Sequence, residues 1–200
     1  CGRVRPLTLY LRSRSVPAGL AALFGCAVSL WALGLAVDNR DGRGLLALLA
    51  TAAAVAVIAP GLAGPDHDLD RVAAIAWSPR RAAHVVVAAA VVIGLLGATT
   101  QIGAPMSGIA LIARNAAGLA GLVALGAATL GAARASLLPI LWAVLVMQVT
   151  PPMGAPPDRP VYKEMLTWLA QPIGSTPATV TAVLLGVLGT LAYALLGSRR

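Results

Sequence analysis

The chain has 200 residues, of which 58% are hydrophobic and only 11% are charged, and its mean hydropathy is +0.84. A water-soluble domain of this size cannot cover its surface with so few charged side chains. The 15 Lys and Arg residues outnumber the 7 Asp and Glu residues, but they occur in short clusters between apolar runs. Because this placement is typical of side chains that anchor helix ends, it argues against a nucleic-acid-binding face. The sequence therefore predicts an all-α, polytopic transmembrane helical bundle that forms a single domain, residues 1–200.

Six apolar stretches approach the length of about 20 residues that a helix needs to cross about 30 Å of hydrocarbon. The predicted spans are residues 16–37, 44–64, 82–100, 115–133, 135–150 and 178–196. The segment 103–114 is apolar but too short to cross and is interrupted by Pro105 and Gly108, so we interpret it as an interfacial turn. The fourth span is dense in small residues that would let another helix approach closely, among them Gly118, Gly121 and Gly126.

A long break, residues 151–177, separates the fifth span, which is the shortest, from the sixth. It opens with PPMGAPPDRP and encloses apolar residues at helical spacing, namely Tyr162, Met165, Leu166 and Leu169. We predict an insertion between the spans, with an amphipathic helix over 161–171 that lies outside the core.

The basic residues also predict the orientation of a six-span chain. One side would hold ten of them, Arg3, Arg5, Arg12, Arg14, Arg71, Arg80, Arg81, Arg134, Arg199 and Arg200. The other side would hold five, Arg40, Arg43, Arg114, Arg159 and Lys163. The excess predicts a multi-pass protein of the cell (plasma) membrane with both termini in the cytoplasm and the insertion at 151–177 outside.

The predicted spans contain no Asp, Glu or Lys. Ion-coupled pumps hold ionisable side chains inside the membrane, because an apolar bundle cannot bind a charge that it must release. The sequence also has no GxxxxGK phosphate loop, no GxSxG elbow and no HExxH helix. We therefore predict that the chain is not an enzyme by itself, with no catalytic, cofactor-binding or metal-binding residues.

Two histidines invite a functional interpretation. His84 stands at the start of the third span without an acidic partner there, which favours an interfacial histidine over a proton relay. His67 lies in PDHDLD, which offers several metal-ligating side chains but within one segment. Since metal sites normally draw ligands from more than one segment, we favour a polar helix start in which Asp66 or Asp68 is the cap.

The loop 65–81, between the second and third predicted spans, contains an amphipathic pattern. Read as a helix over 69–77, it places four apolar residues on one face, Leu69, Val72, Ala73 and Ala76. Trp77 lies at the edge of that face, while Asp70, Arg71 and Ala74 point away from it, and the helix is expected to stop at the pair Ser78-Pro79. Such a helix can receive a push from a partner and move two spans together, or it can simply lie on the membrane surface.

The layout resembles the membrane (permease) subunit of an ABC transporter, in the exporter class with six spans. The segments that carry the resemblance are the amino-terminal interfacial helix RPLTLYLRSRS, the charged loop helix DLDRVAAIAWSPRR and the insertion VYKEMLTWLAQ. The segment ARNAAGLAGLVALGAATLGAA, followed by LLPILWAVL, also resembles permease-like proteins of high-GC actinobacteria. The chain departs from the family in being short, with a glycine-rich fourth span and a short fifth one.

The resemblance implies a cytoplasmic coupling helix that docks on a separate ATP-binding cassette subunit. The residues implied for docking are Asp70, Arg71, Ala74, Trp77, Arg80 and Arg81. It also implies a second permease chain, with ATP and Mg bound only by the partner subunit. The expected function is ATP-driven export of a hydrophobic or amphipathic substrate by a subunit surrounded by membrane lipid. The alternative is a membrane scaffold or assembly subunit that does not transport and uses its Gly and Ala faces to hold other proteins.

Overall fold

The computed structural model describes residues 16–37, 39–62, 77–102, 108–149 and 160–198. In these ranges the chain forms seven α-helices: α1 (Val16–Ala36), α2 (Arg40–Val57), α3 (Trp77–Thr99), α4 (Ile109–Thr129), α5 (Leu137–Val149), α6 (Val161–Leu166) and α7 (Thr176–Leu196). Three 3-10 turns, Ala59–Leu62, Ala132–Arg134 and Trp168–Ala170, adjoin α2, α5 and α6. No strand occurs in the described ranges.

Among the described residues, six helical segments are long and apolar enough to cross a membrane. They are Pro17–Ala36, Gly42–Leu62, Ser78–Thr99, Ile109–Thr129, Ala132–Val149 and Thr176–Leu196. The prediction of an all-helical chain with six apolar, span-length segments is therefore confirmed. The predicted amino-terminal interfacial helix and the predicted helix over 69–77, except for Trp77, lie outside the described residues.

Two helices begin earlier than the sequence predicted. The segment 103–114 is not a turn throughout, because α4 already begins at Ile109 and Arg114 lies inside it. Similarly, Ser78-Pro79 does not separate a loop helix from the third span but lies in the first turn of α3. The backbone N–H groups of a first turn have no partner within the helix, so a proline there costs no hydrogen bond and does not break the helix. Arg80 and Arg81 consequently belong to α3.

α4 is the central helix of the bundle and packs against α2, α3, α5 and α7. Within its apolar stretch 67% is buried, against 18% to 22% for α1, α3, α5 and α7. The exposed aliphatic side chains lie mainly on the outer faces of those four helices, as expected where lipid is the solvent.

α4 and α7 cross at glycines. Gly121 lies against the backbone of Leu185, and a Cβ on Gly189 would overlap the carbonyl of Gly121. Nearer the start of both helices, the Cα of Ala182 is 3.1 Å from the position that a Cβ would take on Gly118. Contacts that advance together along both helices mean that α4 and α7 run parallel. Of the three glycines predicted to admit another helix, Gly121 lies against α7, Gly118 lies against Trp168 and Ala182, and Gly126 lies against Ala135.

α1 lies at the edge of the bundle, against α2 and α3. The indole Nε1 of Trp31 donates to the carbonyl of Ile102 just after α3, at 2.5 Å. The Cys26 thiol contacts the carbonyl of Ala50 in α2, at 3.9 Å. These bonds lie in the middle and at the carboxyl end of α1.

Candidate functional site

The residues implied for partner docking are placed only in part. Asp70, Arg71 and Ala74 lie outside the described residues, and Trp77 is the first residue of α3. Arg80 and Arg81 are neighbours in the first two turns of α3, where Arg80 is exposed and Arg81 is half-buried.

Leu62, which precedes the segment 63–76, is hydrogen-bonded to α7. Tyr193, which is only 2% exposed, donates its phenol hydroxyl to the carbonyl of Leu62 at 2.7 Å. Because Leu62 ends the 3-10 turn after α2, this hydrogen bond ties the end of the second span to α7.

The helix that follows this segment also meets the end of α7. Gly197 has a φ of 74° and its N–H donates to the carbonyl of Tyr193 at 2.9 Å, which closes the helix. A Cβ added to Gly197 would lie 2.9 Å from Nη1 of Arg81. The Arg81 guanidinium therefore sits at the carboxyl end of α7, where a positive charge is favourable. We call this end of the bundle the Tyr193 end.

An apolar pocket of 430 Å³ lies at the Tyr193 end, and we call it the α1–α3 pocket. Its walls come from the beginning of α1, the end of α2 with its 3-10 turn, and α3. The lining residues are Ala18, Gly19, Leu20, Ala22, Leu23, Val57, Ile58, Pro60, Gly61, His84, Val87, Ala88 and Val91. Its volume falls in the range of about 300–1,000 Å³ that is common for small-molecule sites.

Small residues leave the α1–α3 pocket unfilled. Ala18, Gly19 and Ala22 present little side chain from α1, and Ala88 presents little from α3. His84 is half-buried and contributes the only titratable side chain among these lining residues. The predicted interfacial histidine thus lies beside an apolar space, and the sequence alone did not reveal that space.

The opposite end of the bundle is closed by residues 160–175, which we call the cap. Arg114, only 7% exposed, donates to the carbonyls of Trp168, Gln171 and Pro172 at 2.8, 2.6 and 2.9 Å. Its Nε donates to Oδ1 of Asn115 at 3.2 Å, and Nδ2 of Asn115 donates to the carbonyl of Leu169 at 2.9 Å. The pair therefore satisfies carbonyls that a short helical turn leaves free at its end.

The cap packs into the bundle as well as over it. Trp168 is fully buried, and its ring atom Cζ3 lies 2.9 Å from the position of a Cβ on Gly118. Ser175 begins α7 by accepting from the N–H of Ala178 and donates its hydroxyl to Glu164 at 2.7 Å. The prediction that the helix over 161–171 lies outside the core is correct for exposed α6 but wrong for the residues that follow it. A bulky aromatic opposite a glycine on another helix was the signal that reasoning from periodicity missed.

The described residues bring no three His, Cys, Asp or Glu side chains together. The PDHDLD segment, for which a cap and a metal site were weighed, lies outside the described ranges. The α1–α3 pocket offers a ligand apolar contacts and one imidazole, that of His84. Such a lining suits the binding of an apolar ligand.

Comparison of the chain with protein-family models, with curated proteins and with solved structures gives no match. The class of the protein follows instead from its own helices. Six apolar, span-length segments within the described ranges indicate a multi-pass helical membrane protein.

Proposed function

We propose that this chain is the transmembrane subunit of an ATP-driven ABC transporter that exports a hydrophobic or amphipathic substrate. A separate ATP-binding cassette subunit binds ATP and Mg and hydrolyses the ATP, and a second permease chain completes the transport path. The chain sits in the plasma membrane with both termini in the cytoplasm, so the Tyr193 end faces the cytoplasm.

The observation that carries the proposal is the position of the α1–α3 pocket relative to the predicted loop 65–81, whose last five residues are the first five of α3. The 3-10 turn before the loop and the helix that the loop leads into both line the pocket, through Pro60 and Gly61 on one side and His84 and Val87 on the other. A partner that pushes on the loop therefore moves two walls of the pocket. This linkage between a docking element and a binding space is what an externally powered transporter requires.

The connections to α7 support the same mechanism. Tyr193 holds Leu62, and Arg81 lies against Gly197, so a displacement of the loop is transmitted to α7 as well. α7 is in turn packed backbone to backbone on α4. We infer that the α4–α7 pair moves as one body while α1 and α3 rearrange around the pocket.

The scaffold alternative drew on Gly and Ala faces that would hold other proteins. In the structure Gly118, Gly121 and Gly189 are buried between α4 and parts of this same chain. That face is therefore not offered to another protein.

The proposal is tested by purifying the tagged chain from its native membrane in mild detergent. We expect a partner with a phosphate-binding loop to co-purify, with ATPase activity that the transported substrate stimulates. Arg80→Glu should reduce both the amount of partner and the ATPase activity by about tenfold, because it reverses a charge at the docking site.

The matched control is Lys163→Glu, an exposed charge reversal on the cap at the other end of the bundle. It should leave partner binding and ATPase activity unchanged. Purification of the intact chain without any nucleotide-binding partner would overturn the proposal. Equal effects of the two substitutions would remove the docking assignment.

A further inference from the structure

We propose that the α1–α3 pocket binds a hydrocarbon chain of a bilayer lipid, which enters sideways from the leaflet at the Tyr193 end. The inference deepens the proposed function by naming the substrate class, an acyl-chain amphiphile, and the place where its chain is held. It rests on the proposed function only for the fate of that ligand, since binding itself needs neither ATP nor a partner.

The depth of the pocket places it among the acyl chains. On α3 the lining residues run from His84 to Val91, which is about 10 to 20 Å from the start of the span at a rise of 1.5 Å per residue. On α1 they lie in the first two turns. Because the hydrocarbon core is about 30 Å thick, the pocket extends from near the helix ends to about the middle of the bilayer, through the depth of one leaflet.

The pocket opens towards lipid between α1 and α3. Leu20 and Val87 line it from the two helices and yet are 46% and 61% exposed. Side chains that line a pocket and also belong to the apolar outer surface mark a lateral opening. In a bilayer that surface is covered by acyl chains, so the medium at the opening is hydrocarbon.

The lining selects hydrocarbon over water. A buried water forms about two to four hydrogen bonds with polar groups, and an apolar cavity does not supply them. Of the described lining side chains, only His84 can form a hydrogen bond. An empty space of this size would forfeit the dispersion contacts of its walls, so an acyl chain is the occupant that satisfies them.

His84 fixes the expected direction of the ligand. It lies nearer the beginning of α3 than Val87, Ala88 and Val91, which line the deeper part of the pocket. A lipid whose chain points inward past these residues keeps its polar head group at the level of the helix ends. The ester oxygens of that lipid then lie beside the imidazole of His84.

The experiment uses the full chain in lipid nanodiscs, without ATP, together with a phosphatidylcholine that carries a photoreactive diazirine at the end of one acyl chain. After photolysis, peptide mass spectrometry locates the label. We expect labelling at Val91, the deepest lining residue on α3, to exceed that at Val183 and Leu188, exposed residues of α7, by about tenfold, because a pocket encloses most of a ligand's surface.

A matched pair of variants separates the pocket from general lipid contact. Ala88→Phe fills the pocket and should reduce labelling at Val91 to the level on α7, whereas Ala90→Phe adds the same ring to an exposed position of α3 and should not. Equal labelling of the pocket and of α7 in the unmodified chain would overturn the inference. A chain that shows pocket labelling but no ATPase partner would refute the transport proposal and leave the binding site standing.

Discussion

The half of the molecule built on α4 and α7 and the half built on α1 and α3 use the same small residues with opposite results. In the first half Gly121 and Gly189 let two backbones touch, whereas in the second Gly19 and Ala88 border an open pocket. The difference lies in what holds the helices together. α4 and α7 both pack against the cap, and Arg114 of α4 donates hydrogen bonds to three carbonyls of the cap. The amino-terminal end of α1, in contrast, lines the α1–α3 pocket. Small residues permit close approach, and polar anchors decide whether it happens.

The largest expected effect comes from a side chain placed in the α4–α7 crossing. Gly189→Leu should reduce the free energy of unfolding by more than about 5 kcal/mol, because the added atoms meet the backbone of Gly121, which cannot move aside. Unfolding in mixed micelles with increasing SDS measures the change. Gly94→Leu on α3, where a Cβ meets nothing within 4 Å, is the control and should cost less than about 1 kcal/mol. Similar losses for both variants would contradict a special contact between α4 and α7.

The next effect concerns the anchor of the cap. Arg114→Met should cost about 3 kcal/mol, because the carbonyls of Trp168, Gln171 and Pro172 lose their donors in a buried place. Proteolysis of the cap should become faster in the same variant. Arg43→Met removes a partly buried arginine that donates to a single carbonyl, that of Val37, and should cost about 1 kcal/mol. An equal cost for the two substitutions would show that the cap does not depend on Arg114.

A smaller effect is expected where α7 meets the end of α2. Tyr193→Phe removes one hydroxyl from the carbonyl of Leu62 and should cost about 1 kcal/mol. In the proposed transporter it should also lower transport per ATP hydrolysed, since the loop is released from α7. Tyr162→Phe on exposed α6 is the control and should change neither quantity. Unaltered transport per ATP hydrolysed in Tyr193→Phe would mean that this hydrogen bond does not transmit motion from the loop to α7.

The smallest effect tests the open half directly. Ala88→Leu should change the free energy of unfolding by less than about 0.5 kcal/mol, because the pocket has room for the larger side chain. The same substitution at Ala124, fully buried on α4, should cost about 1–3 kcal/mol through overpacking. The two measurements compare one chemical change in both halves. A large loss at Ala88 would mean that the pocket is closed in the membrane.

Hydropathy was sufficient to find the six spans, because their length and apolar character are set by the bilayer and do not depend on partners. It misjudged the start of α4, since a charged residue reads as a span boundary unless its hydrogen-bond partners are known. Those partners, in Trp168–Pro172, lie more than fifty positions away in the chain. Trp168 was misplaced for the same reason, because its burial depends on the absence of a side chain at Gly118.

The candidate site was less accessible to sequence reasoning than the fold. Periodicity predicted an amphipathic helix in the loop 65–81 from its own residues, and the resemblance to a permease implied that this helix docks on a partner. The α1–α3 pocket is instead a property of the distance between three helices, and no single segment encodes it. The hydrogen bond from Tyr193 to Leu62 joins positions 131 residues apart and leaves no local pattern.

The parallel packing of α4 on α7 has a consequence for how the protein is made. α4 is synthesised well before the cap and α7, yet its buried face, including Arg114, is completed only by those last segments. During insertion the ribosome must deliver the cap and most of α7 before that face finds its partners, and until then a charged side chain faces lipid or the insertion machinery. The synthesis of α7 is thus the step that lets α4 complete its packing, and a chain that stops short of α7 is a natural substrate for quality control.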